Sequence, residues 1–223
     1  MGVASRRYRD PPVVEALSEI YFAGSVWDMT VPGQFYERVR KGFPKKEQVD
    51  AMGLELQLGP QQAEARMTPG QPRVRFSRED GSRMVQLARD LLVVNQLRPY
   101  SHFEQWRPLV LEMLSLYREL ARPSGIERLG LRYINNVVIP HERFRMEKYF
   151  RIYPEVPGDE HGSFLMRLQL PALHAGHNLI VTFGTALPER EGSLAELLDL
   201  YDIFPMEGAD ARARMWNGVV RPL

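Results

Sequence analysis

Residues 128–140 read Arg-Leu-Gly-Leu-Arg-Tyr-Ile-Asn-Asn-Val-Val-Ile-Pro. Side chains of a β-strand point alternately to opposite faces. With that period, Leu129, Leu131, Tyr133, Asn135, Val137 and Ile139 share one face, and Arg128, Arg132, Ile134, Asn136 and Val138 share the other. The two adjacent amides therefore part. Asn135 lies on the apolar side, where an unmet buried amide costs about 1–3 kcal/mol. It is expected to be a structural pin, bonded to backbone groups. Arg132 and Asn136 lie on a polar stripe; Glu15 and Glu19 read as glutamates on the exposed face of their own strand, the alternative being that Glu15 pairs with an arginine of a neighbouring strand such as Arg132. A central strand with two different faces requires a sheet, and the rest of the chain is read around it.

Residues 14–22 alternate in the same way. Val14, Ala16, Ser18, Ile20 and Phe22 fall on one side, and Glu15, Leu17, Glu19 and Tyr21 on the other. A short helix follows, with Phe35, Val39 and Phe43 on one face and Gly42 and Pro44 closing it. Residues 54–98 read as an antiparallel meander, with Asp80-Gly81 as a tight hairpin turn before one long strand from Arg83 to Leu97. Residues 101–125 give the clearest helix. Phe103, Trp106, Val110, Met113, Tyr117 and Leu120 form its apolar stripe, Ser101 and Glu104 are expected as a capping box, and Pro108 predicts a kink or a late start. After the central strand come a second short helix before Pro154, two paired strands around 163–187, and a helix over 193–203 capped by Ser193. A last amphipathic piece carries Met215, Trp216 and Val219.

The pattern predicts an α+β protein with a large, mostly antiparallel sheet and helices packed on one face. Residues 1–12 read as an extended basic arm and 13–223 as a single domain. An echo of strand, short helix, strands and closing helix suggests two pseudo-repeated β-α-β-β-α halves, 13–124 and 125–223.

Chemistry is narrowed mainly by exclusion. There are no cysteines, which removes disulfides, thiolate catalysis and cysteine-ligated zinc. No nucleophile elbow, phosphate-binding loop, dinucleotide fingerprint or His-Glu-x-x-His pattern is present. His174 and His177 flank a glycine in a turn and read as solvated loop residues rather than metal ligands. Glu15 and Glu19 stand about 13 Å apart along a strand, too far for a glycosidase-type pair. No catalytic residue, metal or cofactor is expected. No apolar run approaches the length of a membrane span, and none precedes Pro11 as a secretory signal would. A soluble cytoplasmic protein is the expectation.

The net charge of +1 gives no global drive toward nucleic acid or an anionic membrane. Locally the balance differs. Arg6, Arg7 and Arg9 lie in the arm; Arg38, Arg40, Lys41, Lys45 and Lys46 gather around the first helix; Arg73, Arg75, Arg78 and Arg83 lie on the meander. Arg38 and Arg40 are therefore carried with Arg132, Asn136 and Glu15 as the candidate partner- or ligand-binding residues.

The segments YRDPPVVEALSEIYF, SHFEQWRPL, RLGLRYINNVVIP and LLDLYDIF with ARARMWNG resemble a sporadically distributed bacterial family of uncharacterised proteins. Its members open on a Tyr-x-x-Pro-Pro-(Ile/Val)-Val-Glu-Ala strand and carry a central Arg-x-Gly-Leu-Arg-Tyr-Ile-Asn strand. The resemblance spans most of the chain; the C-terminal segment departs from it, where Pro205 and Gly208 interrupt the closing helix. It supplies no catalytic residue, cofactor or substrate. The family's patchy distribution implies mobile or defence-associated gene neighbourhoods and an accessory or regulatory role.

The leading expectation is a non-enzymatic module that binds a protein partner and can form a homodimer. The second is a nucleic-acid-binding accessory with an arginine-rich surface. The third is an enzyme or small-ligand binder whose pocket, between sheet and helices, is lined by Arg132, Asn135 and Asn136.

Overall fold

The computed structural model describes residues 10–50, 52–58, 63–69, 71–139, 145–154, 163–171, 178–186 and 194–205. Its first half holds β1 (Val13–Ala23), α1 (Val31–Val39), β2 (Lys45–Val49), β3 (Met52–Leu58), β4 (Ala63–Pro69), β5 (Arg73–Ser77), β6 (Arg83–Ala88), β7 (Leu91–Leu97) and α2 (Phe103–Ala121). The second holds β8 (Gly125–Ile139), a 3-10 turn at Met146–Lys148, β9 (Leu165–Pro171), β10 (Asn178–Ala186) and β11 (Leu194–Pro205). Nine strands form one sheet in the order β2-β5-β6-β7-β1-β8-β11-β10-β9, and every neighbouring pair is antiparallel. The class is α+β with a large antiparallel sheet.

The central strand is 15 residues long and lies between β1 and β11. Directly opposed residues of an antiparallel pair share a face, so the register fixes what each side chain sees. Ala16, Ile20 and Phe22 of β1 join Phe76, Val85, Leu87, Leu92 and Val94 in one buried cluster. The same cluster takes Phe35 and Val39 from α1 and Trp106, Val110, Met113 and Tyr117 from α2, with Leu129, Leu131 and Tyr133 packed against it. Phe22 stacks on Tyr117 at 4.4 Å and Phe35 on Phe76 at 5.8 Å. A fully buried side chain of this kind contributes about 1.5–3 kcal/mol. On the opposite side of the sheet, Leu17, Ala88, Leu91 and Val93 form a separate buried cluster flanked by Tyr21.

Several expectations are corrected. Residues 194–205 are the strand β11, not a helix. Ala, Glu and Leu are good helix formers, but β11 is paired on both sides, by β8 and β10, and that ladder overrides propensity. The meander also differs. β3 and β4 pair only with each other, while β2, read from no pattern, takes the sheet edge beside β5. The long strand after Gly81 is two strands, because Asp90 turns the chain at φ 61°. Gly81 itself has φ +70°, as a tight turn at Asp80-Gly81 requires.

Helix α2 begins at Phe103 and contains Pro108, so it has no late start. Its N-cap is His102 without a side-chain cap bond. Ser101 bonds Gln105 at 2.5 Å instead, and Glu104 pairs with the His102 ring at 2.9 Å, so no capping box forms. The second short helix is only the three-residue 3-10 turn. The arm up to residue 9, His174, His177 and the piece carrying Trp216 lie outside the described residues. Among the described residues no helix is long and apolar enough to cross a membrane.

Candidate functional site

The face of the sheet away from the main buried cluster carries a band of polar side chains across five strands, β6, β7, β1, β8 and β11. Register alone assembles it. Leu17 opposes Arg132, Glu19 opposes Gly130 and Tyr21 opposes Arg128. On the far side of β8, Arg132 opposes Tyr201 and Ile134 opposes Asp199. Toward β6, Leu17 opposes Asn95, which opposes Met84.

Arg132 is the centre of the band. Its Nε and Nη2 donate to the two carboxylate oxygens of Asp199 at 2.8 and 2.6 Å, a forked pair. The Asp199 side chain is 9% exposed and that of Arg132 37%. The hydrogen bond to Asp199 holds the Arg132 guanidinium above its ordinary pKa, against the opposing effect of burial. Glu15 therefore does not pair with Arg132. It accepts from Asn95 Nδ2 at 2.6 Å, and Asn95 Oδ1 accepts from Gln86 Nε2 at 3.0 Å. Glu15 and Asp199 both oppose Ile134, one from each side of β8; Glu15 is engaged by the Asn95 amide toward β7, and the Arg132 guanidinium turns to Asp199.

Tyr201 crosses β8 to give its hydroxyl hydrogen to Glu19 of β1. That crossing requires Gly130. A Cβ at residue 130 would lie 2.7 Å from Tyr201 Cε2 and 2.9 Å from its hydroxyl oxygen. The glycine thus leaves the floor on which the ring lies. Beside it the Arg128 guanidinium stands 3.9 Å from the centre of the Tyr21 ring, a cation–π contact. Burial first, and Glu19 next, push the hydroxyls of Tyr21 and Tyr201 above the ordinary tyrosine range. Both hydroxyls keep their protons at neutral pH.

Asn135 points to the other side. It is buried, and its Nδ2 donates to Leu198 O at 2.9 Å and Tyr133 O at 3.3 Å. Asn135→Ala removes both bonds and is expected to cost about 1–2 kcal/mol, read as a fall in melting temperature with the fold retained. Asn136 lies on the polar face opposite Leu197, and its backbone N–H donates to Pro12 O at 2.9 Å. Arg132 and Asn136 are therefore on the face away from the main buried cluster, and Asn135 is on the other face.

Arg38 and Arg40 belong to a different place. Arg38 forks onto Glu119 of α2 at 3.0 and 3.1 Å, and Arg40 pairs with Glu37 at 3.2 Å. The structure thus divides the five candidate residues into a polar band (Glu15, Arg132, Asn136) and a helix-side group (Arg38, Arg40). Sequence reading missed Asp199 and Tyr201, which fell in the expected helix, and gave Glu19 no role. The spacing Arg128, Gly130, Arg132 was the available signal: two large groups flanking a bare position on one strand face mark space for a ring.

Among the described residues, Glu15, Glu19, Asn95, Arg132, Asp199 and Tyr201 of this band bond to one another or to Gln86. Among the described residues no three His, Asp or Glu side chains are placed to hold a metal ion. No protein-family model and no curated protein matches the chain, so its function is read from this geometry.

Proposed function

We propose that the chain is a non-enzymatic binding module for a protein partner, and that the partner adds a strand to β9. The observation that carries this reading is the character of that edge. Among the described residues β9 is the outermost strand on its side of the sheet, and Leu165 and Leu170 on it are 72% and 38% exposed. An unpaired edge offers backbone donors and acceptors in register, and apolar side chains add affinity. The opposite edge, β2, exposes Lys45 and Lys46, which discourages strand addition. The two edges thus differ as a used and a guarded edge would. The resemblance to a sporadically distributed family favours an accessory or regulatory role, in keeping with defence-associated neighbourhoods.

We also read the sheet as two joined halves, with the helices α1 and α2 of the first half on one face. β1 and β8 lie side by side at the centre, and β7 and β11, the last sheet strands of each half, lie against the first strand of their own half. The polar band then spans the junction and fastens the halves, leaving the outer edge for the partner.

The test is affinity capture from the native host with the wild-type chain and with a Leu165→Asp/Leu170→Asp variant. A partner retained by wild type and lost from the variant, with unchanged melting temperature, is expected. Light scattering of the purified chain shows whether that partner is a second copy. Equal recovery by both proteins sinks the β9 assignment.

A further inference from the structure

We propose that a groove on the helix side of the sheet, far from β9, binds a small organic dianion with an apolar body. The groove lies between the C-terminal end of α1, the middle of α2 and the turn joining β5 to β6, and has a volume of about 330 Å³. Ligand pockets run from roughly 300 to 1,000 Å³, so this one suits a molecule the size of an aryl phosphate. Its charge is one-sided. Arg38, Lys41, Arg78 and Arg83 line it against the single carboxylate of Glu112.

Two of these cations are held in place from behind. Arg38 is forked on Glu119, and Arg83 Nε donates to Gln96 Oε1 at 2.7 Å. Such anchoring orients the remaining N–H groups without the entropy cost of ordering a free side chain. The other two are available. Among the described residues, neither the Lys41 ammonium nor the Arg78 guanidinium has a hydrogen-bonded side-chain partner, although Asp80 lies close enough to feel the Arg78 charge. Beneath the charged rim, Val39, Phe43 and Met113 supply buried apolar wall. Convergent cations over an apolar wall select a compact double charge on a hydrophobic group. A phosphomonoester and a dicarboxylate share that chemistry.

Titration calorimetry of the full chain at low salt tests this, with phenyl phosphate and phthalate as probes. Binding of either is expected in the millimolar range or tighter, and the probe that binds identifies which anion the groove takes. A Lys41→Ala/Arg78→Ala variant is expected to weaken it by about tenfold or more, since two charge-assisted bonds to the anion are lost. Both side chains lie at the surface, so circular dichroism and melting temperature should match wild type. Glu112→Gln is expected to tighten binding by removing the carboxylate that lines the groove. No heat from either probe, or equal affinity in the double variant, overturns the proposal. So does a short single-stranded oligonucleotide that binds more tightly through the same Lys41 and Arg78, because the ligand is then a polyanion and not a small molecule. None of these outcomes depends on the β9 edge.

Discussion

Asp199→Ala is expected to lower stability by about 2–4 kcal/mol. Removing one partner of a buried ion pair costs roughly 3–5 kcal/mol, because the other charge is left uncompensated. Here the carboxylate is nearly buried but Arg132 is 37% exposed, so water recovers part of the loss and the lower figure applies. In a chain of 223 residues that corresponds to a melting temperature lower by roughly 5–15 °C. Arg132→Met together with Asp199→Leu should recover much of this stability, since a well-packed apolar pair often equals a buried ion pair. The double-mutant cycle is the decisive measurement. Asp199→Ala with wild-type stability, or additive effects of the two single changes, would falsify the pairing of β8 with β11 through this contact.

Gly130→Val should cost about 3 kcal/mol by a different route. The new Cβ would sit under 3 Å from two atoms of the Tyr201 side chain, and overpacking of this severity typically costs 1–3 kcal/mol or more. The ring must leave β8, and Glu19 then loses its donor. Tyr201→Phe keeps the ring and deletes only the hydroxyl, so it should cost less, about 1.5 kcal/mol for a bond to a charged group. In a Tyr201→Ala background the clash has no partner, and Gly130→Ala should become nearly neutral. A Gly130→Val protein that melts with wild type means that the ring does not lie on that glycine.

Both predictions rest on residues whose importance the sequence showed unevenly. Arg132 stood out because a guanidinium in an apolar strand demands a partner. Asp199 did not, because Leu194–Pro205 carries the residues of a good helix. Within a short apolar run, periods of two and 3.6 are not separable. Only pairing with both neighbours made Asp199 and Tyr201 share a face with Arg132. The basic groove was visible as a surplus of arginine and lysine, but its walls come from α1, α2 and a hairpin turn distant in the chain.

The sequence by itself determined the local rules. Alternation set which side chains of β1 and β8 face together, glycine set the turn at residue 81, and the apolar stripe of α2 set which of its sides is buried. These depend on periodicity and on backbone freedom, which are properties of neighbouring residues. The tertiary structure alone decided strand order, the strand identity of β11 and the partner of Arg132. Each depends on which backbone meets which across long separations, where hydrogen-bond ladders and side-chain reach outweigh the preferences of any one segment.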